Sequence, residues 1–163
     1  METVIRQADI NDLETLMSWR MEVLREVFGI PSELDMRELE QANRSYYQTM
    51  LKNEGHIACF ACQGDIIGCG SICIYQEMPS PDNPTGMCAY LMNIFTLPQF
   101  RGQGVGELIV RWRLSQAMRR GITKIYLETS DSGRKLYQKI GFTSMTDYLK
   151  LDKSVFEREG IIL

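Results

Sequence analysis

No stretch of this 163-residue sequence approaches the ~20 consecutive apolar residues that cross a bilayer, so no membrane partner is expected. Met1-Glu2-Thr3-Val4-Ile5-Arg6 also lacks the basic-then-apolar layout of a signal peptide, and a cytoplasmic location is expected. Histidine is nearly absent: there is one, His56, which starts a strand-like run and reads as a surface residue. The five cysteines are an odd number. Cys59 and Cys62 spell C-x-x-C, but on a strand that spacing sends the side chains to opposite faces, and no second pair completes a zinc site. No metal is expected, and the thiols read as reduced and mostly buried. A large charge excess is missing too. The net charge of −3 argues against a general nucleic-acid partner or an anionic membrane surface. Arg111, Arg113, Arg119 and Arg120 form a local basic cluster, read as the solvated face of a helix, with a cofactor phosphate contact as the other reading.

What is present is ordinary globular composition, 44% hydrophobic and 24% charged, in a chain long enough to bury one core. Residues 1–163 are expected to form one α/β domain. Thr3–Ala8 alternates like a short strand, and Asp9 or Asn11 can cap a helix in which Leu13, Leu16, Met17, Met21, Leu24 and Phe28 recur at helical spacing. Gly29-Ile30-Pro31 stops it, and Ser32 caps a second helix to about Lys52. Strands follow at His56–Cys62 and Ile66–Gln76, turned at Gln63-Gly64-Asp65. The proline-rich 78–86 reads as an exposed loop, followed by a strand at Cys88–Thr96. The run Gly104–Arg120 is a helix with two apolar stripes, hence packed between neighbours, and Gly121 ends it. Lys124–Glu128 predicts a strand, Asp131–Ile140 a helix, and Phe142–Leu151 a last strand. The tail 152–163 fits an extra helical turn or strand.

Arg101-Gly102-Gln103-Gly104-Val105-Gly106, between a strand and a helix, is the most informative stretch. Alternate glycines leave backbone N–H groups uncovered where a helix starts, and such an end attracts phosphate. A P-loop needs Lys then Ser or Thr after its last glycine, whereas Glu107-Leu108 follow here. A dinucleotide fingerprint needs glycine at Glu107 or at Ile109, according to the frame. The P-loop reading fails and the dinucleotide reading fits poorly, which leaves a turn suited to the phosphates of some other cofactor.

The same six residues match Q/R-x-x-G-x-G/A, the hallmark of the GNAT superfamily of N-acetyltransferases. Leu136-Tyr137-Gln138-Lys139-Ile140-Gly141-Phe142 is similar to that family's L-Y-x-x-x-G-F segment, and the order of elements agrees along nearly the whole chain. The resemblance implies a mostly antiparallel mixed sheet, splayed between its fourth and fifth strands, with helices on both faces. It implies acetyl-coenzyme A as cofactor, its pyrophosphate on Gln103, Gly104, Val105 and Gly106, with Gly102 and Arg101 shaping the turn or touching phosphate. Backbone groups of Ile94, Phe95 and Thr96 would receive the pantetheine arm as an added strand. Ile94 or Phe95 N–H would polarise the carbonyl, and Tyr137 would protonate the departing thiolate. Ser130 and Gly133 stand where the family often has Asn and Ala. Ser130 can still donate to the pantetheine region, and the glycine costs ~1 kcal/mol of helix propensity.

The strand 88–96 has no carboxylate to serve as base, although several family members carry one there. The expectation is a water chain ending on a carboxylate of the first two helices. Asn93 can position the amine, and Tyr46 is expected to line the acceptor site, with core packing the role of at least one of Tyr46 and Tyr47. The loop 78–86 is expected to cover the acceptor in part, with Gly86 as hinge. The function implied is direct acetyl transfer to a primary amine of a small molecule or metabolite, without a covalent enzyme intermediate. A protein lysine or N-terminal acetyltransferase, or a non-catalytic acyl-coenzyme A sensor, are the alternatives. Homodimers are common in that family, and the last strand and tail would be the exchange surface.

Overall fold

The computed structural model of the chain describes residues 2–152 and 154. Expectations for the rest of the tail lie outside the described residues. Strand β1 (Val4–Gln7) leads into a 3-10 turn at Ile10–Asp12. Asp9 caps that turn, and Asp12 returns the bond to the Asp9 N–H. Helix α1 (Leu13–Phe28) follows and ends at Gly29, whose φ of 60° is left-handed. Helix α2 (Arg37–Met50) starts four residues later than a Ser32 cap implies. Ser32 instead bonds Glu33, and the Asp35 carboxylate accepts from the Arg37 N–H.

Strands β2 (His56–Gln63), β3 (Asp65–Gln76) and β4 (Met87–Thr96) form an antiparallel meander, and β1 adds to the outer edge of β2. After helix α3 (Val105–Arg119), strand β5 (Lys124–Leu127) pairs parallel to β4, and helix α4 (Asp131–Ile140) completes the elements. The sheet order is β1-β2-β3-β4-β5. Glu77, just past β3, ties down β5 by accepting from Lys124 Nζ and Tyr126 OH, both at 2.6 Å.

Strand alternation divides the core. Ala58, Phe60, Cys69 and Phe95 face α1 and α2, where they pack on Leu16, Met17, Val23 and Tyr47. Ile72, Ile74, Ala89 and Leu91 face α3 and α4 and meet Val110, Ala117 and Tyr137. A sheet between two helical layers is thereby buried on both faces. Cys59 and Cys62 fall on opposite sides, as a strand spacing of three requires.

Two features depart from the sequence reading. Phe142–Leu151 is not a strand: it joins no ladder, and Leu149 is almost fully exposed. Its apolar alternation is confined to Tyr148–Leu151, and β5 offers only four residues as an edge. The segment stands off that edge across a cavity of about 1020 Å³, touching it through the Tyr126–Tyr148 ring pair. Arg113 is not on a solvated face either, being completely buried beneath the sheet. Glycine makes room for it: a Cβ at Gly70 would lie 2.4 Å from Ile109 and 3.2 Å from the Arg113 guanidinium carbon.

Candidate active site

The parallel pairing of β4 and β5 runs only from Cys88–Leu91 against Lys124–Leu127. Beyond it the strands part, leaving Met92–Thr96 of β4 without a partner on that side. On its other side β4 carries a bulge. Cys69 pairs with Phe95 and Ser71 with Met92, so Gly70 alone opposes Asn93 and Ile94. Asn93 sits at φ 55°, a left-handed conformation uncommon outside glycine.

Arg113 underlies the bulge. Its Nη1 donates to the carbonyls of Ser71 (2.8 Å) and Met92 (3.1 Å), and its Nε to Ile109 O (3.3 Å). Among the described residues Nη2 has no partner, and burial pushes the guanidinium pKa down to about 10. Tyr137 lies on the same side, nearly buried and edge-on to Phe142 at 5.8 Å. Burial raises its phenol pKa, and the Arg113 charge pulls it partly back. A phenol so placed holds its proton at neutral pH.

The glycine turn lies past the unpaired end of β4. Gly102 (φ 75°) and Gly104 (φ 84°) are left-handed, and a Cβ at either would meet no protein atom. Conformation, not crowding, therefore demands glycine there. No side chain caps α3. Glu107 in its first turn is drawn off by Arg111 (2.9 Å) and Lys139 (2.6 Å), which hold its carboxyl below the usual range. The helix end is left with uncovered N–H groups, the requirement for an anion site, and a pyrophosphate fits it. Arg101 braces the turn from behind: Nε donates to Thr96 O at 2.9 Å, Nη2 pairs with Glu26, and the guanidinium stacks over Phe95 at 5.3 Å. Ser130 is exposed at the start of α4, with its hydroxyl 2.9 Å from that of Ser132. Gly133 has a local reason, since a Cβ there would lie 2.5 Å from the Thr129 hydroxyl.

On the α1–α2 side of the bulge is a cavity of about 120 Å³, reached by Arg20, Asn43, Tyr46, His56, Ser71 and Asn93. Arg20 Nε donates to Asn43 Oδ1 (3.0 Å) and its Nη1 to Asn93 Oδ1 (2.9 Å). Tyr46 OH lies 3.0 Å from His56 Nδ1. Asn93 and Tyr46 border this cavity, as does Tyr47, which is otherwise buried in the core.

One expectation fails here. His56 is 4% exposed, not a surface residue, because the rings of Tyr46 and Tyr47 both close on it at 5.3 Å. No carboxylate from α1 or α2 lines the cavity. Nor does any residue of 78–86; that loop is pinned by Asn83, which donates to Met87 O, and by the Glu77 N–H bond to Gly86 O. Gly86 is left-handed, and a Cβ there would lie 2.3 Å from Glu77 O, so the turn requires glycine.

The family model for the acetyltransferase (GNAT) family matches residues 13–142. The chain belongs to this family. Its members are enzymes that use acetyl-coenzyme A as co-substrate. A predicted acetyltransferase of Clostridium acetobutylicum, solved with acetyl-CoA, superposes with a TM-score of 0.82 at 29% identity, covering 93% of this chain and 96% of that one. Mouse (Mus musculus) thialysine N-epsilon-acetyltransferase is 33% identical over 39% of each chain. The [ribosomal protein bS18]-alanine N-acetyltransferase of Haemophilus influenzae is 39% identical over 35% of this chain and 40% of its own. The matched stretches thus span less than half of those two curated relatives. Among the described residues, no helix of this GNAT chain is long and apolar enough to cross a membrane.

Proposed function

We propose that the chain works as one acetyltransferase unit, moving an acetyl group from acetyl-coenzyme A directly to a primary amine of a small molecule. The observation that carries this reading is the uncapped glycine turn, with Gly102 and Gly104 left-handed, beside the unpaired end of β4. Backbone N–H groups of 103–106 would hold the pyrophosphate, and the open edge of Ile94–Thr96 would align the pantetheine amides. When bound, acetyl-coenzyme A supplies the thioester.

This chain's own groups then have limited work. The amine nitrogen bonds to the acetyl carbon, the carbon–sulfur bond breaks, and the sulfur takes a proton. An N–H of the β4 bulge polarises the carbonyl oxygen, and the Tyr137 hydroxyl is the proton donor to sulfur. The nitrogen sheds its surplus proton to water. No side-chain nucleophile is required, because positioning supplies most of the rate. The mouse relative is named for thialysine and the Haemophilus one for an alanine of ribosomal protein bS18. The small volume of the cavity beside the bulge favours a small acceptor.

The test is release of free thiol from acetyl-coenzyme A against a panel of small amines and amine-bearing peptides. Acceptor-dependent thiol release with small amines supports the reading, and turnover of peptides alone favours a protein acetyltransferase. Cofactor binding without thiol release for any amine leaves a sensor.

A further inference from the structure

The cavity against the β4 bulge is cationic without an acidic partner. Arg20 makes no ion pair among the described residues. Its two bonded N–H groups go to the side-chain oxygens of Asn43 and Asn93, which carry no charge. Its Nη2 has no hydrogen-bond partner there. His56 lines the same cavity, and its Nε2 is buried with no partner among the described residues. Tyr46 OH lies 3.0 Å from His56 Nδ1, and the tautomer in which the hydroxyl donates to Nδ1 leaves the ring proton on Nε2. The cavity is thus bordered by a guanidinium and, in that tautomer, an imidazole N–H. Neither has an anion, and no Asp or Glu lines the space. An unsatisfied buried donor and a half-buried unpaired charge both cost stability unless a ligand meets them.

We propose that this cavity is the subsite for an anionic group, a carboxylate or a phosphate, carried by the acceptor amine and held by Arg20 and His56. The proposal rests on the acetyl-transfer reading, whose acceptor class it narrows from amines in general to acidic amines. The volume of about 120 Å³ corresponds to about four water molecules, enough for a carboxylate or phosphate but not for a sugar ring. The guanidinium suits either anion, since its planar fork donates two parallel bonds. Position matters as much as charge. Asn93 borders the cavity and is half of the bulge, so an anion bound there sits within a residue or two of the backbone that would hold the acetyl carbonyl. The acceptor's amine and anion should therefore be a few bonds apart. Arg20 also couples the subsite to the bulge through Asn93 Oδ1, so one residue would both read the anion and fix the backbone beside the reacting atoms.

The test uses matched acceptors with the full chain at saturating acetyl-coenzyme A: β-alanine against β-alaninamide, and O-phosphoethanolamine against ethanolamine. In at least one pair, kcat/KM for the anionic member should exceed that for its neutral partner by about ten- to hundredfold, mainly through KM. Which pair shows it separates carboxylate from phosphate. R20Q should abolish that ratio, and R20K should restore part of it. A second readout does not need turnover. His56 is the sole histidine, so its imidazole gives one assignable NMR signal. That signal should shift on titration with the preferred anionic amine and not with its neutral partner. Equal kcat/KM within both pairs, or an R20Q loss of the same size for anionic and neutral acceptors, would overturn the subsite. If no amine turns over, the acetyl-transfer reading fails by itself. The imidazole titration then decides the subsite, and no shift with either anionic amine rejects it.

Discussion

At the scale of single residues, the site depends on three groups whose burial sets their chemistry. Tyr137 is a phenol kept protonated by its apolar surroundings. Tyr137→Phe should lower kcat about a hundredfold, within the range of a lost general acid. The alkaline limb of the pH–rate profile, where the wild-type phenol ionises, should vanish with it; an unchanged limb would remove Tyr137 from the proton transfer. His56 has its pKa lowered to about 4, first by burial and then by the Arg20 charge. The folded pKa lies below the unfolded one, so below pH ~6.5 the unfolded chain takes up a proton that the folded chain refuses. Stability is fully present above that pH and is lost as pH falls toward 4, by about 3 kcal/mol. Denaturant melts between pH 4 and 7 should show that slope in the wild type and a shallower one in His56→Gln. Equal slopes would mean that other groups carry it. His56 and Arg113 were both misread from sequence for one reason. Hydropathy marks charged and polar residues as exposed, and nothing in the local pattern shows two tyrosine rings or a whole sheet closing over them.

At the scale of elements, much was legible because local chemistry dictates it. The helix of 105–119 is bounded by Gly104 and Gly121, and β2 turns into β3 at Gly64, all left-handed. The proposed cofactor turn was readable since it depends on conformations open to glycine. The start of α2 and the last strand were not. A serine can cap or can bond its neighbour, and alternation in Tyr148–Leu151 makes a strand only with a ladder partner. Gly70 was the unused signal, since a glycine inside a buried strand marks a close approach. Gly70→Ala should destabilise by about 1–3 kcal/mol, because Ile109 and Arg113 cannot both keep their places. The same substitution should lower kcat, as the displaced guanidinium lets go of Met92 O beneath the bulge. Thermal melts and steady-state rates check the two effects, and full stability with full activity would contradict the packing argument.

At the scale of the whole molecule, the sheet serves as a frame with one deliberate gap. α1 and α2 cover one face and enclose the acidic-acceptor cavity, while α3 and α4 cover the other and bring the glycine turn and Tyr137 to the parting of β4 and β5. A ligand that bridges this gap should stabilise the entire fold by mass action. At a hundred times its Kd, coenzyme A should contribute about 2.7 kcal/mol and raise Tm by about 5–10 °C, and a scan with and without it checks this. Whether the glycine turn receives the coenzyme A pyrophosphate is measured by calorimetric titration of coenzyme A into the wild type and Gly104→Ala. One site per chain is expected in the wild type, with at least about tenfold weaker binding in the variant, whose alanine must hold a left-handed φ. No binding to the wild type, or equal affinity in a folded variant, would contradict it.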